Sequence, residues 1–410
     1  MTSSNVIHSC EVCGQGELQP VLDLGLHPLC DDLVSITDTR RCEEYPIEIL
    51  YCSGCQTAHQ RFQIPKRELF PVSYHYRSRF TADVLMGMSA LVDACENRVG
   101  GLGGKLVLDV GCNDGSLLDF FKAKGATTVG IEPTDAYRDG LDKGHGLVND
   151  FFVPRTANEI REKYGCPDVI TFTNVFAHIE NLSEVIEALT SLMSPSTILV
   201  IENHYLGSVL ERHQFDTFYH EHPRTYSFNS FRHIAKSLNA NLSGVEFPAR
   251  YGGNIRVFIG GSSALDKVSS SSLAEAEQHF GARLRQMQSE VDQWRNSMTE
   301  TIRELVAKHG RLAAKAFPGR AAILVKLLNL DSDTIDAVYE KPGSMKIGNY
   351  LPGTRIPIKS DDEFFGMRER PTVVLNLAWH ISAEIRTYLK ERGYAGEIVD
   401  ILDPQQLSKS

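Results

Sequence analysis

The sequence predicts an α/β protein in three parts. A small N-terminal domain built on cysteine pairs spans 1–75, a Rossmann-like domain spans 76–262, and a second Rossmann-like α/β unit spans 263–410. Three observations carry this reading. Two Cys-x-x-Cys pairs stand at Cys10/Cys13 and Cys52/Cys55, with 38 residues between them. An apolar strand, a glycine turn, an amphipathic helix, a second strand and an acid then follow in order between Lys105 and Glu132. A further strand and helix alternation begins after a long amphipathic stretch from Ser269 to His309. Alternating strands and helices imply parallel sheets with ligands at the carboxyl ends of the strands.

The composition fits this architecture. Hydrophobic residues make up 42% of the 410 and charged residues 23%, as in ordinary globular proteins. No apolar run is long enough to span a bilayer, and the N-terminus lacks the basic start and apolar core of a secretion signal. A cytoplasmic protein is expected. The formal charge of −10 offers no general attraction to nucleic acid or to an anionic membrane.

Six of the nine cysteines lie in the first 55 residues, and an odd count argues against a disulfide framework. Cys10, Cys13, Cys52 and Cys55 together supply the four sulfurs of a closed tetrahedral zinc site. Such a site leaves no position for substrate, so its expected role is stability. Zinc ribbons often bind nucleic acid, but residues 1–75 carry five basic side chains against ten carboxylates. That sign is wrong for a phosphate-binding module.

In the central domain, strands are expected at 105–109, 127–131, 167–172 and 197–202, with helices at 115–124, near 156–164 and at 182–193. Gly111 and Gly115 let the turn bend sharply and approach a ligand. The acid Glu132, at the tip of the second strand, suits a ribose diol. The turn Asp109-Val110-Gly111-Cys112-Asn113-Asp114-Gly115 resembles the AdoMet-binding motif of class I methyltransferases; Gly-x-Gly-x-x-Gly is absent. On that resemblance, Asp109, Gly111, Asn113, Gly115 and Glu132 hold S-adenosyl-L-methionine. Asp150 would reach the adenine amino group with Phe151 or Phe152 against the ring, and Asn174 would lie near the methionine end.

At the ends of the fourth and fifth strands stand His178 and four histidines within 19 residues: His204, His213, His220 and His222. The spacing does not match His-Glu-x-x-His. A general-base cluster is the better reading than a metal site or a polar loop, because imidazole titrates near neutral pH and a carboxylate can fix its tautomer.

Cys-x-x-Cys pairs, a Tyr-x-Tyr segment (Tyr74, Tyr76), Asp-x-Gly-Cys-Asn-x-Gly, Ala177-His178-Ile179 and Tyr219-x-Glu221-His222 occur in one order. Tyr251-Gly252-Gly253-Asn254, Leu351-Pro352-Gly353-Thr354 and Asn376-Leu377-Ala378-Trp379 follow. This combination resembles the sugar C-methyltransferases over nearly the whole chain. Those zinc-containing, AdoMet-dependent enzymes methylate C3 of nucleotide-linked 4-ketohexoses in deoxysugar pathways, antibiotic biosynthesis among them. The resemblance implies a carbanion formed by His222, with Glu221 and Tyr219 shaping the pocket. It implies that His178 and Tyr76, or Tyr74 in its place, hydrogen-bond the sugar or the enolate oxygen. It also implies a small-molecule keto-sugar partner, in a monomer or homodimer.

The C-terminal unit, with strands expected near 320–325, 336–339, 372–375 and 397–401, departs from this pattern. The family's turn there reads roughly Gly-Tyr-Gly-Ala-x-Ala-Lys and helps hold the nucleotide sugar. Here it reads Phe317-Pro318-Gly319-Arg320-Ala321-Ala322-Ile323, with Lys326 three places late. Arg320, Lys326 and Lys346 are the candidate replacements for the missing cation. Two rivals follow: a C-methyltransferase of a non-sugar keto or dicarbonyl metabolite, and a non-catalytic zinc scaffold.

Overall fold

A computed structural model describes residues 5–70, 77–80, 82–261, 264–265 and 267–407. The expected Tyr74 and Tyr76 lie outside these. The chain packs as two compact units: the first takes 1–19, 50–209 and 221–281, the second 20–49, 210–220 and 282–410.

The first unit is organised by a seven-stranded sheet. Its strands are β1 (Leu106–Val110), β2 (Thr127–Ile131), β3 (Gly146–Val148), β4 (Val169–Thr173), β5 (Ile198–His204), β6 (Leu242–Glu246) and β7 (Asn254–Gly260). Their order is β6-β7-β5-β4-β1-β2-β3, and β7 runs antiparallel to both of its neighbours. This is the class I methyltransferase topology. The strands read as continuous apolar runs because both faces are covered. On one face Val107, Val169, Val200 and Phe258 pack with Val84, Leu91 and Val92 of helix α1 (Ala82–Val99). On the other, Leu108, Ile170, Phe172 and Ile201 pack with four further groups of residues. Helices α3 (Pro154–Tyr164), α4 (Leu182–Leu192) and α5 (Phe228–Ser237) supply three of them, and the buried sulfurs of Cys10, Cys52 and Cys55 supply the fourth. Helix α2 (Ser116–Ala123) joins β1 to β2 and buries Leu117 and Phe121 completely.

Caps set where these helices begin. Asn181 Oδ1 accepts the Glu184 N–H at 3.2 Å at the start of α4. Ser227 and Ser230 exchange backbone-to-hydroxyl bonds of 3.0 and 2.9 Å at the start of α5. Each satisfies N–H groups that the first helical turn cannot.

The second unit carries a parallel five-stranded sheet: β8 (Leu312–Lys315), β9 (Ile335–Glu340), β10 (Ile358–Ser360), β11 (Val373–Asn376) and β12 (Glu397–Asp400). Their order is β10-β9-β8-β11-β12. Most of the long helix α6 (Phe280–His309) belongs here, and its stripe from Leu284 through Met287, Val291, Trp294 and Met298 to Ile302 is buried. The strand expected near 320–325 is instead helix α7 (Ala321–Leu327), and the strand lies earlier, at β8. Six of the seven α7 residues are buried. A helix apolar on every side has no 3.6-residue polar stripe to mark it, and a short apolar run of that kind reads equally as a strand.

Candidate active site and metal centre

The two cysteine knuckles converge. Sγ of Cys10 and Cys55 lie 3.4 Å apart, Sγ of Cys13 and Cys52 3.5 Å, and all four ligand atoms fall within 4.8 Å of one another. Four sulfurs at ~2.3 Å from one zinc would stand ~3.8 Å apart, so the donor set and its spacing fit the ion. The surrounding groups are oriented for thiolates. Thr57 Oγ1 lies 3.0 Å from Cys55 Sγ, the Cys13 N–H donates to Cys10 Sγ at 3.5 Å, and His59 Nε2 stands 3.3 Å from Cys10 Sγ.

At the carboxyl ends of β1 and β4 the strand order reverses, which is where an open α/β sheet leaves a crevice for a ligand. Asp109, next to last in β1, accepts from Thr171 Oγ1 at 2.7 Å. Gly111 follows at φ +72°, and a Cβ there would meet Val175 Cγ2 at 2.6 Å, so only glycine fits. Asn113 also takes a positive φ, +50°, and gives its N–H to Glu132 Oε2 at 3.0 Å. Glu132 Oε1 accepts the N–H and hydroxyl of Thr134 at 2.9 and 2.6 Å. A carboxylate offers about four acceptor positions; with three filled, this acid retains about one for a ligand hydroxyl. Gly115, at φ +74°, opens α2. Farther along, Phe152 turns into the core against Phe172, while the half-buried Phe151 carries Lys66 Nζ 4.5 Å above its ring. Asp150 is paired with Arg155 and accepts the Phe151 N–H at 2.7 Å. Asn174, at φ +54°, donates its N–H to Glu202 O at 2.8 Å and accepts from Asn254 Nδ2 at 3.3 Å.

Burial pushes the Asp109 carboxyl up to about 7; the Thr171 hydroxyl opposes this and the negative Glu132 adds to it. The folded value lies above the ordinary one near 4, so the folded protein keeps a proton there that the unfolded chain releases. The stability this provides is present below about pH 4 and is lost as pH rises through about 7. Asp109→Asn, neutral throughout, is therefore expected to gain in melting temperature relative to the native protein between pH 5 and pH 8. A constant difference across that range would show that Asp109 ionises normally.

The histidines meet at the ends of β4 and β5. His222, 5% exposed, has its ring centroid 4.8 Å from that of His178 and 5.4 Å from that of His204. His178 Nδ1 lies 2.7 Å from Glu221 O; a carbonyl only accepts, so Nδ1 carries the proton and Nε2 is the acceptor. Burial holds the His178 pKa below the ordinary histidine value, so the ring is neutral at pH 7. The remaining two histidines of the sequence cluster belong to the second unit. His213 Nδ1 pairs with Glu290 Oε2 at 2.7 Å, and His220 Nε2 bonds Tyr45 O at 3.1 Å. The cluster of four is thus two pairs with different surroundings. Tyr219 also belongs to the second unit, and Glu221 to the first.

Known proteins match this arrangement segment by segment. Residues 10–70 match the family described as "Putative zinc binding domain", 75–243 a methyltransferase domain, and 249–399 a C-methyltransferase C-terminal domain. The C-methyltransferase NovU of Streptomyces niveus is 28% identical over 98% of this chain and 97% of its own length. These matches make the chain an AdoMet-dependent C-methyltransferase. A ubiquinone biosynthesis O-methyltransferase of Shewanella halifaxensis is 36% identical, but over only 23% of this chain and 42% of that protein. Among solved structures, magnesium protoporphyrin IX methyltransferase of Synechocystis PCC 6803 aligns with 44% of this chain and 84% of its own, at 16% identity and a TM-score of 0.34. In this C-methyltransferase the four converging cysteines all lie within the segment that matches the zinc-binding family.

Two features of the enzyme escaped the sequence reading. Glu202, fully buried at the end of β5, accepts Arg256 Nε at 2.7 Å and Asn254 Nδ2 at 3.1 Å, with Arg250 Nη1 at 3.4 Å. A Cβ on Gly87 would meet the Arg250 guanidinium at 1.6 Å, so α1 needs glycine where that side chain crosses it. In the second unit, the cations proposed to replace the family's lysine are already engaged. Arg320 bonds Asp216 at 2.8 and 2.5 Å, and Asp216 also takes the Trp379 indole N–H at 2.8 Å. Lys326 pairs with Glu44 at 2.5 Å, and Lys346 Nζ donates to Phe317 O at 2.7 Å. Glu340, at the tip of β9, accepts the Phe317 N–H at 2.5 Å. It repeats for the second sheet the device that Glu132 and Asn113 form in the first. No helix among the described residues is long and apolar enough to cross a membrane.

Proposed function

We propose that the enzyme methylates the carbon beside the ketone of a nucleotide-linked 4-keto deoxysugar, with His222 as the base. The observation that carries this is the cluster of three imidazoles, His178, His204 and His222, at the ends of β4 and β5. Carbon methylation requires removal of a weakly acidic proton beside a carbonyl, and imidazole is matched to that task near neutral pH. His222 takes the proton, the electron pair moves through the α-carbon to the ketone oxygen, and the enolate results. The neutral His178, with Nε2 as acceptor, takes a hydrogen bond from a substrate hydroxyl and so orients the ring. Glu221, Tyr219 and Tyr76 complete the acceptor pocket in this reading. Asp109, Gly111, Asn113, Gly115, Glu132, Asp150, Phe151 and Asn174 hold AdoMet at the carboxyl ends of β1, β2 and β4. AdoMet supplies an electrophilic methyl group, which the α-carbon takes with loss of a neutral thioether. His222 afterwards returns its proton to solvent.

A second reading, with a non-sugar keto or dicarbonyl acceptor, is favoured by the second unit. A diphosphate needs bare amides and an uncommitted cation, whereas Arg320 and Lys326 face carboxylates and the Phe317 N–H is given to Glu340.

Deuterium wash-in separates the readings. The enzyme is incubated in heavy water with S-adenosylhomocysteine and a panel of nucleotide-linked 4-keto sugars, free keto sugars and dicarbonyl metabolites. Exchange at one carbon of a nucleotide-linked sugar is the expected result. Exchange confined to the other acceptors moves the assignment to the second reading; in a parallel incubation with AdoMet, an O- or N-methylated product from an acceptor that showed no exchange overturns both.

A further inference from the structure

A four-thiolate zinc site has no open position for chemistry, yet its first knuckle is joined to the cluster of three imidazoles by one buried side chain. Arg224 lies two residues beyond His222 and is wholly inaccessible to solvent. It sits in a two-residue strand, Arg224–Thr225, paired antiparallel with Thr57–Gln60, directly opposite His59. Its guanidinium reaches in two directions. On one side Nη1 pairs with Glu11 Oε2 at 2.6 Å, and Glu11 stands inside the Cys10–Cys13 knuckle. On the other side Nη2 donates to Ile179 O, and both terminal nitrogens lie 3.4 Å from Glu180 O. Nε donates to the Tyr226 hydroxyl at 3.0 Å, which donates in turn to Phe176 O at 3.5 Å. The three carbonyls so held bracket His178, whose Nδ1–H closes the circuit on Glu221 O. The second knuckle is tied to the same region, since Ser227 and Ser230 hydroxyls donate to Cys55 O at 3.1 and 3.3 Å.

We propose that the Glu11–Arg224 ion pair is a positioning strut through which the zinc knuckle sets the relative placement of the His178 and His222 rings. The metal thereby governs the proton-removing step without touching substrate. This rests on the reading of His222 as the base. Glu11 does not ligate metal, and its carboxylate is the one acid paired with the Arg224 guanidinium among the described residues. Gln63 Nε2 also donates to Glu11 Oε2 at 2.7 Å, and His59 Nδ1 stands 3.7 Å from the same oxygen, so the carboxylate is held by more than the arginine. A fixed carboxylate on one side and backbone carbonyls on the other make a rigid link, because guanidinium donors are planar and preorganised.

The test uses the zinc-loaded, full-length enzyme. Glu11→Gln keeps the size of the side chain and removes the charge. It is expected to retain one zinc per chain and AdoMet affinity within twofold, and to lower kcat at least tenfold. The imidazole signals of His178 and His222 in nitrogen-15 spectra, and the pH profile of kcat, are expected to shift, which loss of packing elsewhere would not produce. Arg224→Lys keeps the charge facing Glu11 but not the fork onto Ile179 and Glu180, and is expected to act alike; it also serves if Glu11→Gln fails to fold. Unchanged kcat and unchanged imidazole signals in a zinc-loaded Glu11→Gln enzyme would overturn the proposal, as would loss of zinc from it. His222→Asn is run beside them. Full turnover in that variant sinks the base assignment alone, while shifted His178 signals in Glu11→Gln keep the strut.

Discussion

His222→Asn is expected to cut turnover by roughly 10²–10⁴-fold, the usual contribution of a positioned general base, while AdoMet binds within twofold of its native affinity. The two effects separate because the residues lie on different parts of the sheet. The turn from Asp109 to Gly115 follows β1, whereas His222 packs against His178 and His204 beyond β4 and β5. Asparagine fills part of the volume and keeps a polar group in a site only 5% exposed, so the fold is expected to survive better than with alanine. Single-turnover kinetics and calorimetric titration of AdoMet measure the two quantities. A variant that turns over at nearly the native rate would move the base to another group of the cluster.

Removal of the metal is expected to have the larger effect on stability. Cys52 and Cys55 are completely buried, and with Cys10 they belong to the apolar cluster that contains Leu182, Val185 and Ile234. Structural zinc binds small domains with an apparent ~10–16 kcal/mol; even a third of that rivals the ~5–15 kcal/mol by which a whole domain is stable. Cys52→Ser is therefore expected to lose zinc, to lower the melting temperature steeply and to abolish turnover, since Thr57–Gln60 carries the strand partner of Arg224. Cys13, the least buried of the four, is expected to tolerate serine best. Metal analysis with circular dichroism melting decides this. A Cys52→Ser protein that melts and turns over normally would mean the four thiols are ordinary core residues.

What could be read from the sequence is what local chemistry dictates. β2 was visible at Thr127–Ile131 because an apolar strand ending in Glu132 needs no distant partner to be recognised. The Gly111 turn was visible because positive φ and a close approach to Val175 leave one residue type. β8 was not visible, since Leu312-Ala313-Ala314-Lys315 has neither β-branched residues nor alternation, and the all-round apolar α7 took its place. Arg224 was not visible at all as part of the site. Its partner Glu11 is more than two hundred residues away and reads, in sequence, as filler between two cysteines. Nor did closeness along the chain reveal the histidines' partners: His213 pairs with Glu290 and His220 bonds the Tyr45 carbonyl.

The chain crosses between its two units five times, at residues 19, 49, 209, 220 and 281. The unit that carries the parallel five-stranded sheet is therefore not a cassette. Grafting a homologue's residues from 282 onward would leave behind two native pieces, 20–49 and 210–220. Asp216, the carboxylate that engages Arg320, would stay with the host, as would Glu44, the partner of Lys326. Recombination at a single point cannot move the second unit intact in such a chain. A chimera that exchanges the second unit has to move three segments together.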